Sequence, residues 1–131
     1  MILHLITDRG RLAPGAPFAE ARACLVAQAR AGVAAGVDVL QVRERDMDAA
    51  PLSAVVASLV QVTRGTRTRV VVNDRLDVAL AAGADGVHLR GDSFAASDVR
   101  RIAPPAFLVG RSIRGLADLK DVGPVDYLIA G

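Results

Sequence analysis

Short β-rich runs alternate with longer alanine-rich runs along this chain, a pattern that predicts an α/β domain of parallel strands joined by right-handed crossovers. Polar residues collect at the C-terminal ends of several of those strands, at Thr7-Asp8, Gln41 to Arg43, Asn73-Asp74, His88 and Ser112. That distribution favours a (β/α)8 barrel of the TIM type, whose ligand site lies on that face. An open doubly wound sheet is the other architecture that fits, but the first strand–helix turn lacks the glycine fingerprint of a dinucleotide site. About six strand–helix units fit into the 131 residues, whereas a whole barrel takes over ~200. The expectation is therefore a single partial barrel domain over residues 1–131, with the last two units missing.

The elements follow from the pattern in order. Residues 2–7 read as a first strand, and residues 9–17, with two glycines and two prolines, as a loop. Residues 18–35 carry Ala, Leu and Val at helical spacing and stop at Gly36. A second strand is expected over 37–43. A helix follows over 49–64, with Pro51 in its first turn and Gly65 beyond its end. The third strand is placed at 69–72 and a short helix at 75–82, closed by Gly83. The fourth strand covers 84–89, and the next helix covers 95–103 before Pro104-Pro105. A fifth strand (107–111), a short helix (116–121) and a sixth strand (125–130) complete the series. The units share this pattern without a sequence repeat, and no linker or low-complexity tract divides them.

Composition removes several classes of function. Apolar residues make up 52% of the chain and charged residues 23%, enough for a core and too balanced for disorder. Sixteen basic against fourteen acidic side chains leave a net charge of +2. With no block of like charge and only four aromatic residues, nothing supports nucleic-acid binding. The lone Cys24 excludes an internal disulfide. His4 and Thr7-Asp8-Arg9 break up the apolar start, so it reads as neither signal peptide nor membrane span. A soluble, cytoplasmic domain is expected.

The strand ends carry the chemistry. In the second strand, Val39, Gln41 and Arg43 share one face, and Leu40 and Val42 the other. With the latter pair packed on helices, Gln41 and Arg43 face the barrel mouth. A guanidinium there needs a partner, either an anionic ligand or an acid such as Asp8 or Asp74. Arg45 adds a second cation, and the arginine fork suits phosphate oxygens. In the third strand, Val70-Val71-Val72 aims Asn73 and Asp74 at the same mouth. Asn73 can donate to a phosphate oxygen. Asp74 can ligate Mg²⁺ or cap the next helix. Taken with Gln41 and Arg43, a diphosphate–Mg²⁺ site is the better reading. His88 and His4 read most simply as hydrogen-bonded core histidines. Asp92 is either a second metal carboxylate or a solvated loop acid, and Ser112 offers a hydroxyl beyond the fifth strand. With no GxSxG elbow, and with Cys24 inside a helix, nucleophilic catalysis is not expected.

Five stretches together resemble the thiamine-phosphate synthases and the related thiazole tautomerases. They are Leu5-Ile6-Thr7-Asp8, Leu40-Gln41-Val42-Arg43-Glu44-Arg45, residues 72–79 around Asn73-Asp74-Arg75, Ala84 to Leu89, and Gly110-Arg111-Ser112. They lie in the family's order and cover nearly the whole chain. The resemblance implies a (β/α)8 barrel enzyme with Mg²⁺ as cofactor and two small-molecule substrates. A pyrimidine diphosphate would alkylate the nitrogen of a thiazole phosphate, giving thiamine phosphate and diphosphate. It also implies substrate contacts at Gln41, Arg43, Glu44, Arg45, Asn73 and Ser112, and metal contacts at Asp74 and Asp92.

This sequence departs from the family pattern in specific places. The synthase loop Gly-Gln-Glu-Asp reads Arg90-Gly91-Asp92-Ser93 here, so the ungapped metal position falls on Ser93. Arg45 stands where a lysine is usual. Arg43-Glu44-Arg45 and Gly110-Arg111-Ser112 lean towards the tautomerases, but Arg114 occupies the position of their histidine. A tautomerase-like homologue and a catalytically silent diphosphate-binding relative are therefore the alternatives. Open sheet edges at the first and sixth strands predict self-association.

Overall fold

The computed structural model describes residues 1–131. Six strands form one parallel sheet in sequential order: β1 (His4–Ile6), β2 (Val39–Val42), β3 (Arg69–Asn73), β4 (Gly86–Leu89), β5 (Leu108–Ile113) and β6 (Tyr127–Ala130). Five helices lie between them, α1 (Arg9–Leu12), α2 (Phe18–Ala34), α3 (Ala49–Thr63), α4 (Leu76–Ala81) and α5 (Ala96–Ile102), with a 3₁₀ turn at Leu116–Asp121. The sheet is strongly curled. The ring centroids of His4 on β1 and Tyr127 on β6 lie 5.6 Å apart, whereas five strand spacings in a flat sheet would separate them by roughly 24 Å.

Curling gives the sheet two unlike faces. Leu40, Val42, Val70, Val72, Val87, Leu89 and Val109 face outward into the main apolar core. There they meet α3 through Leu52, Val55, Val56 and Leu59, spaced to form one helical stripe. Leu25 and Ala29 add the buried side of α2. The inner face carries Gln41, Val71, His88, Gly110 and Ser112, linked by the registers Gln41↔Val71 and His88↔Gly110. Gly110 is needed where it stands, because a Cβ there would overlap the ring of Tyr127.

The element boundaries differ from expectation for identifiable reasons. Asp8 caps a turn of helix in the expected 9–17 loop, its Oδ1 accepting the Arg11 amide at 3.2 Å. β2 ends at Val42, so Arg43 lies beyond the strand. β5 runs on to Ile113 because β6 keeps pairing with it through Ser112↔Ile129 and Ile113↔Ala130. Ser112 is therefore inside that strand and not after it. A short device also recurs that the pattern reading did not reveal. Gly36, Gly83 and Gly123 each turn the chain with positive φ (80°, 73° and 69°), and an aspartate follows two or three residues later. Those aspartates, Asp38, Asp85 and Asp126, accept the amides of Leu3, Val70 and Val109 at 2.8, 2.8 and 2.7 Å. Each ties the entry of one strand to its neighbour. No helix is long and apolar enough to cross a membrane.

Candidate active site

The C-terminal ends of the strands surround a cavity of about 330 Å³. Its lining includes Gln41, Arg43, Arg45, Asn73, Asp92 and Ser112, together with His88, Arg90 and Arg114. A second cavity of about 250 Å³ lies alongside, lined by Glu44, Asn73, Asp74 and Arg75 among others, and shares Arg45, Asn73 and Arg90 with the first. Six of the eight residues singled out from sequence thus meet in one space, and Asp74 and Glu44 stand in the adjoining one.

Glu44 is taken up by the fold. Its carboxylate is buried, accepts the Arg9 amide at 2.6 Å, and is approached by the Thr7 hydroxyl at 3.4 Å. Burial raises its pKa despite these donors and the nearby Arg9 guanidinium. At Glu44, where a substrate contact was expected, the carboxylate ties β2 to the β1–α1 turn while bordering the second cavity. Arg43 lines the first cavity. It is exposed beyond β2, and neither it nor Arg45 forms an ion pair. Its amide is held by the Thr7 hydroxyl at 3.0 Å, which fixes the backbone and leaves the guanidinium free.

Asp74 does not cap α4; that helix starts from Arg75 with no side-chain cap. Instead Asp74 is the one non-glycine residue with positive φ, at 60°. Its amide donates to the His88 carbonyl at 2.8 Å. One carboxylate oxygen pairs with Arg90 Nε at 3.1 Å, and the other, Oδ1, is buried without a partner. An orphaned carboxylate oxygen costs free energy unless something pairs with it. Asp92, more exposed, lies 3.4 Å from the same Arg90 Nε. No cluster of three or more metal-binding side chains is present. Two hard carboxylates nevertheless suit Mg²⁺, which takes its remaining ligands from water and phosphate oxygen.

Behind these groups, Gln41 approaches His4 Nε2 at 3.3 Å, and His88 bridges the Tyr127 hydroxyl (3.1 Å) and the Ser112 hydroxyl (2.8 Å). His88 is held at about 4, chiefly by burial and then by His4, with Asp74 acting in the opposite direction. Burial also lowers His4 and raises Tyr127. The sequence reading missed Arg90 and Arg111. Buried Arg111 donates to the Phe94 carbonyl and, at 3.4 Å, to that of Gly91, bracing the loop that carries Asp92 from the outer side of β5. Its place on the outward face of a strand was the available signal.

A sequence model of the family described as thiamine monophosphate synthase matches residues 3–131. The chain belongs to that family. It is 40% identical over 131 residues to the thiamine-phosphate synthase of Solidesulfovibrio magneticus, covering 98% of this chain and 58% of that protein. Over 89 residues it is 42% identical to the thiamine-phosphate synthase of Methanoculleus marisnigri, 68% of this chain and 42% of the relative. The solved structure of thiamine phosphate pyrophosphorylase from Pyrococcus furiosus superposes with a TM-score of 0.79 at 32% identity, over 99% of this chain and 59% of that one. The chain thus spans about half the length of the relatives it matches.

Proposed function

We propose that this chain carries the diphosphate-binding side of a thiamine-phosphate synthase, on the first six units of a (β/α)8 barrel. Its substrates would be a pyrimidine diphosphate and a thiazole phosphate. The C–O bond between the pyrimidine methylene and the diphosphate breaks, and the thiazole nitrogen takes its place on that carbon. The single observation that carries the reading is the convergence of Arg43, Arg45, Gln41 and Asn73 on one cavity, with both guanidiniums free of carboxylate partners. Unpaired arginine forks at the mouth of parallel strands suit the bridging and terminal oxygens of a diphosphate. Gln41 and Asn73 supply neutral donors beside them, and Ser112, turned by His88, contacts the pyrimidine end. Mg²⁺ held by Asp74 and Asp92 would neutralise charge on the departing diphosphate. No side chain is needed as nucleophile, because the thiazole nitrogen forms the new bond as the diphosphate leaves with the electrons of the old one.

Calorimetric titration of the chain with diphosphate, with and without Mg²⁺, tests the reading. Saturable binding that tightens in Mg²⁺ is expected, since both ligands share oxygens. Absence of saturable binding in both conditions overturns the diphosphate assignment, and equal affinity in both overturns the metal assignment.

A further inference from the structure

Arg90 occupies a position that none of the roles above accounts for. Its Nε lies 3.1 Å from Asp74 Oδ2 and 3.4 Å from Asp92 Oδ1, so one guanidinium sits between the two carboxylates proposed to hold the metal. Neither of its terminal nitrogens has a hydrogen-bond partner in the protein. The side chain is 45% exposed and lies in the wall shared by the two cavities, so it has room to swing. Its hold is also weak, because ion pairs of this exposure contribute little.

We propose that Arg90 is a resident counter-ion that fills the seat between Asp74 and Asp92 and leaves it when a diphosphate arrives. This rests on the diphosphate reading of the same site. A cation is opposed from approaching both carboxylates while the guanidinium lies between them, since like charges repel and one oxygen of each carboxylate is engaged. A diphosphate entering beside Arg43 and Arg45 offers the free terminal nitrogens of Arg90 a denser array of acceptors. As Arg90 turns towards that anion, the two carboxylates are freed for the metal. One side chain thereby couples the two ligands: it opposes metal binding in the empty site and joins the grip on the anion in the filled one.

The coupling makes Arg90→Gln move two affinities in opposite directions. Mn²⁺, as a paramagnetic stand-in for Mg²⁺, is titrated alone by electron paramagnetic resonance, and diphosphate alone is titrated by calorimetry in EDTA. Arg90→Gln should bind Mn²⁺ about fivefold more tightly than the unaltered chain and diphosphate about fivefold more weakly. Arg90→Lys, which keeps a cation in the seat, should bind Mn²⁺ like the unaltered chain. Arg114→Gln removes a charge from the same cavity without touching either carboxylate and should leave Mn²⁺ affinity within about twofold. Unchanged or weaker Mn²⁺ binding in Arg90→Gln overturns the proposal, as does an equal gain in Arg114→Gln. If the unaltered chain and every variant fail to bind diphosphate, the diphosphate reading falls and this proposal falls with it. Diphosphate binding that persists without the Mn²⁺ gain overturns the Arg90 assignment alone.

Discussion

Asp74 concentrates the functional argument at the scale of one residue. A left-handed backbone is uncommon outside glycine, and Asp and Asn are among the few side chains that adopt it readily. At Asp74 that conformation comes with a buried carboxylate oxygen lacking a partner. Neither feature benefits the fold, and strain of this kind gathers at binding sites. Asp74→Asn should therefore cost under about 1 kcal/mol in stability, since only a partly exposed ion pair with Arg90 is lost. Metal affinity should fall by about tenfold or more, because half of the negative charge at the seat is gone. Thermal melting and Mn²⁺ titration of the same variant check both parts. A collapse in melting temperature with metal affinity intact would return Asp74 to a structural role. Gln41 was legible in the sequence because it alternates with Leu40 and Val42 on a strand, where period two fixes the face, and Asn73 and Ser112 were legible as polar residues at the ends of apolar strand runs. Glu44 was not, since it lies past the end of β2, where period two no longer applies and the β1–α1 turn captures it. Arg90 was hidden for the same reason, its partners being chosen by a loop.

At the scale of elements, strands and long helices were legible because β-branched runs and apolar stripes mark them directly. The turn of α1 was not, because its single cap, Asp8, stands among glycines and prolines that read as loop. The strand entries were also under-read. Three glycine turns followed by Asp38, Asp85 and Asp126 form a repeated device, but its spacing varies by one residue and the surrounding sequence differs. Inside the curl, strands far apart in the sheet meet through rings: His4 stands edge-on to Tyr127, and His88 stacks on Tyr127 at 5.6 Å. This lock ties β1, β4 and β6, and burial favours the neutral form of both its imidazoles. His88 is held at about 4, below its ordinary 6.5. The stability it contributes is therefore fully present above pH 6.5 and is lost as pH falls towards 4. The loss should be on the order of 1–2 kcal/mol once solvent screening is allowed for. Melting temperature followed from pH 7.5 down to 4.5 should fall steeply, and His88→Gln should flatten that dependence. Equal slopes in the two proteins would show that the lock tolerates a charged imidazole.

For the whole molecule, the arrangement of strands determines how it meets other molecules. β1 and β6 each pair on one side only, and their free edges carry unpaired amides and carbonyls. Apolar side chains flank both edges, with Ile2, Leu3 and Ile6 substantially exposed at one and Leu128 at the other. None of the usual protections is present there, for neither edge strand contains lysine, proline or an inward-pointing charge. The curl brings inner rings of β1 and β6 together without joining the two edges by hydrogen bonds. The 131-residue chain on its own should therefore associate through these edges. Light scattering coupled to size exclusion should report a mass above 13.6 kDa that rises with concentration. Leu128→Lys places a charge on the β6 edge and should shift the distribution towards the single chain, while leaving diphosphate binding intact because Leu128 lines neither cavity. A mass of 13.6 kDa at every concentration, with a reversible cooperative melt, would mean that curvature alone is enough to protect the edges. A mass that rises equally in Leu128→Lys would move the contact away from β6, to the exposed apolar residues beside β1.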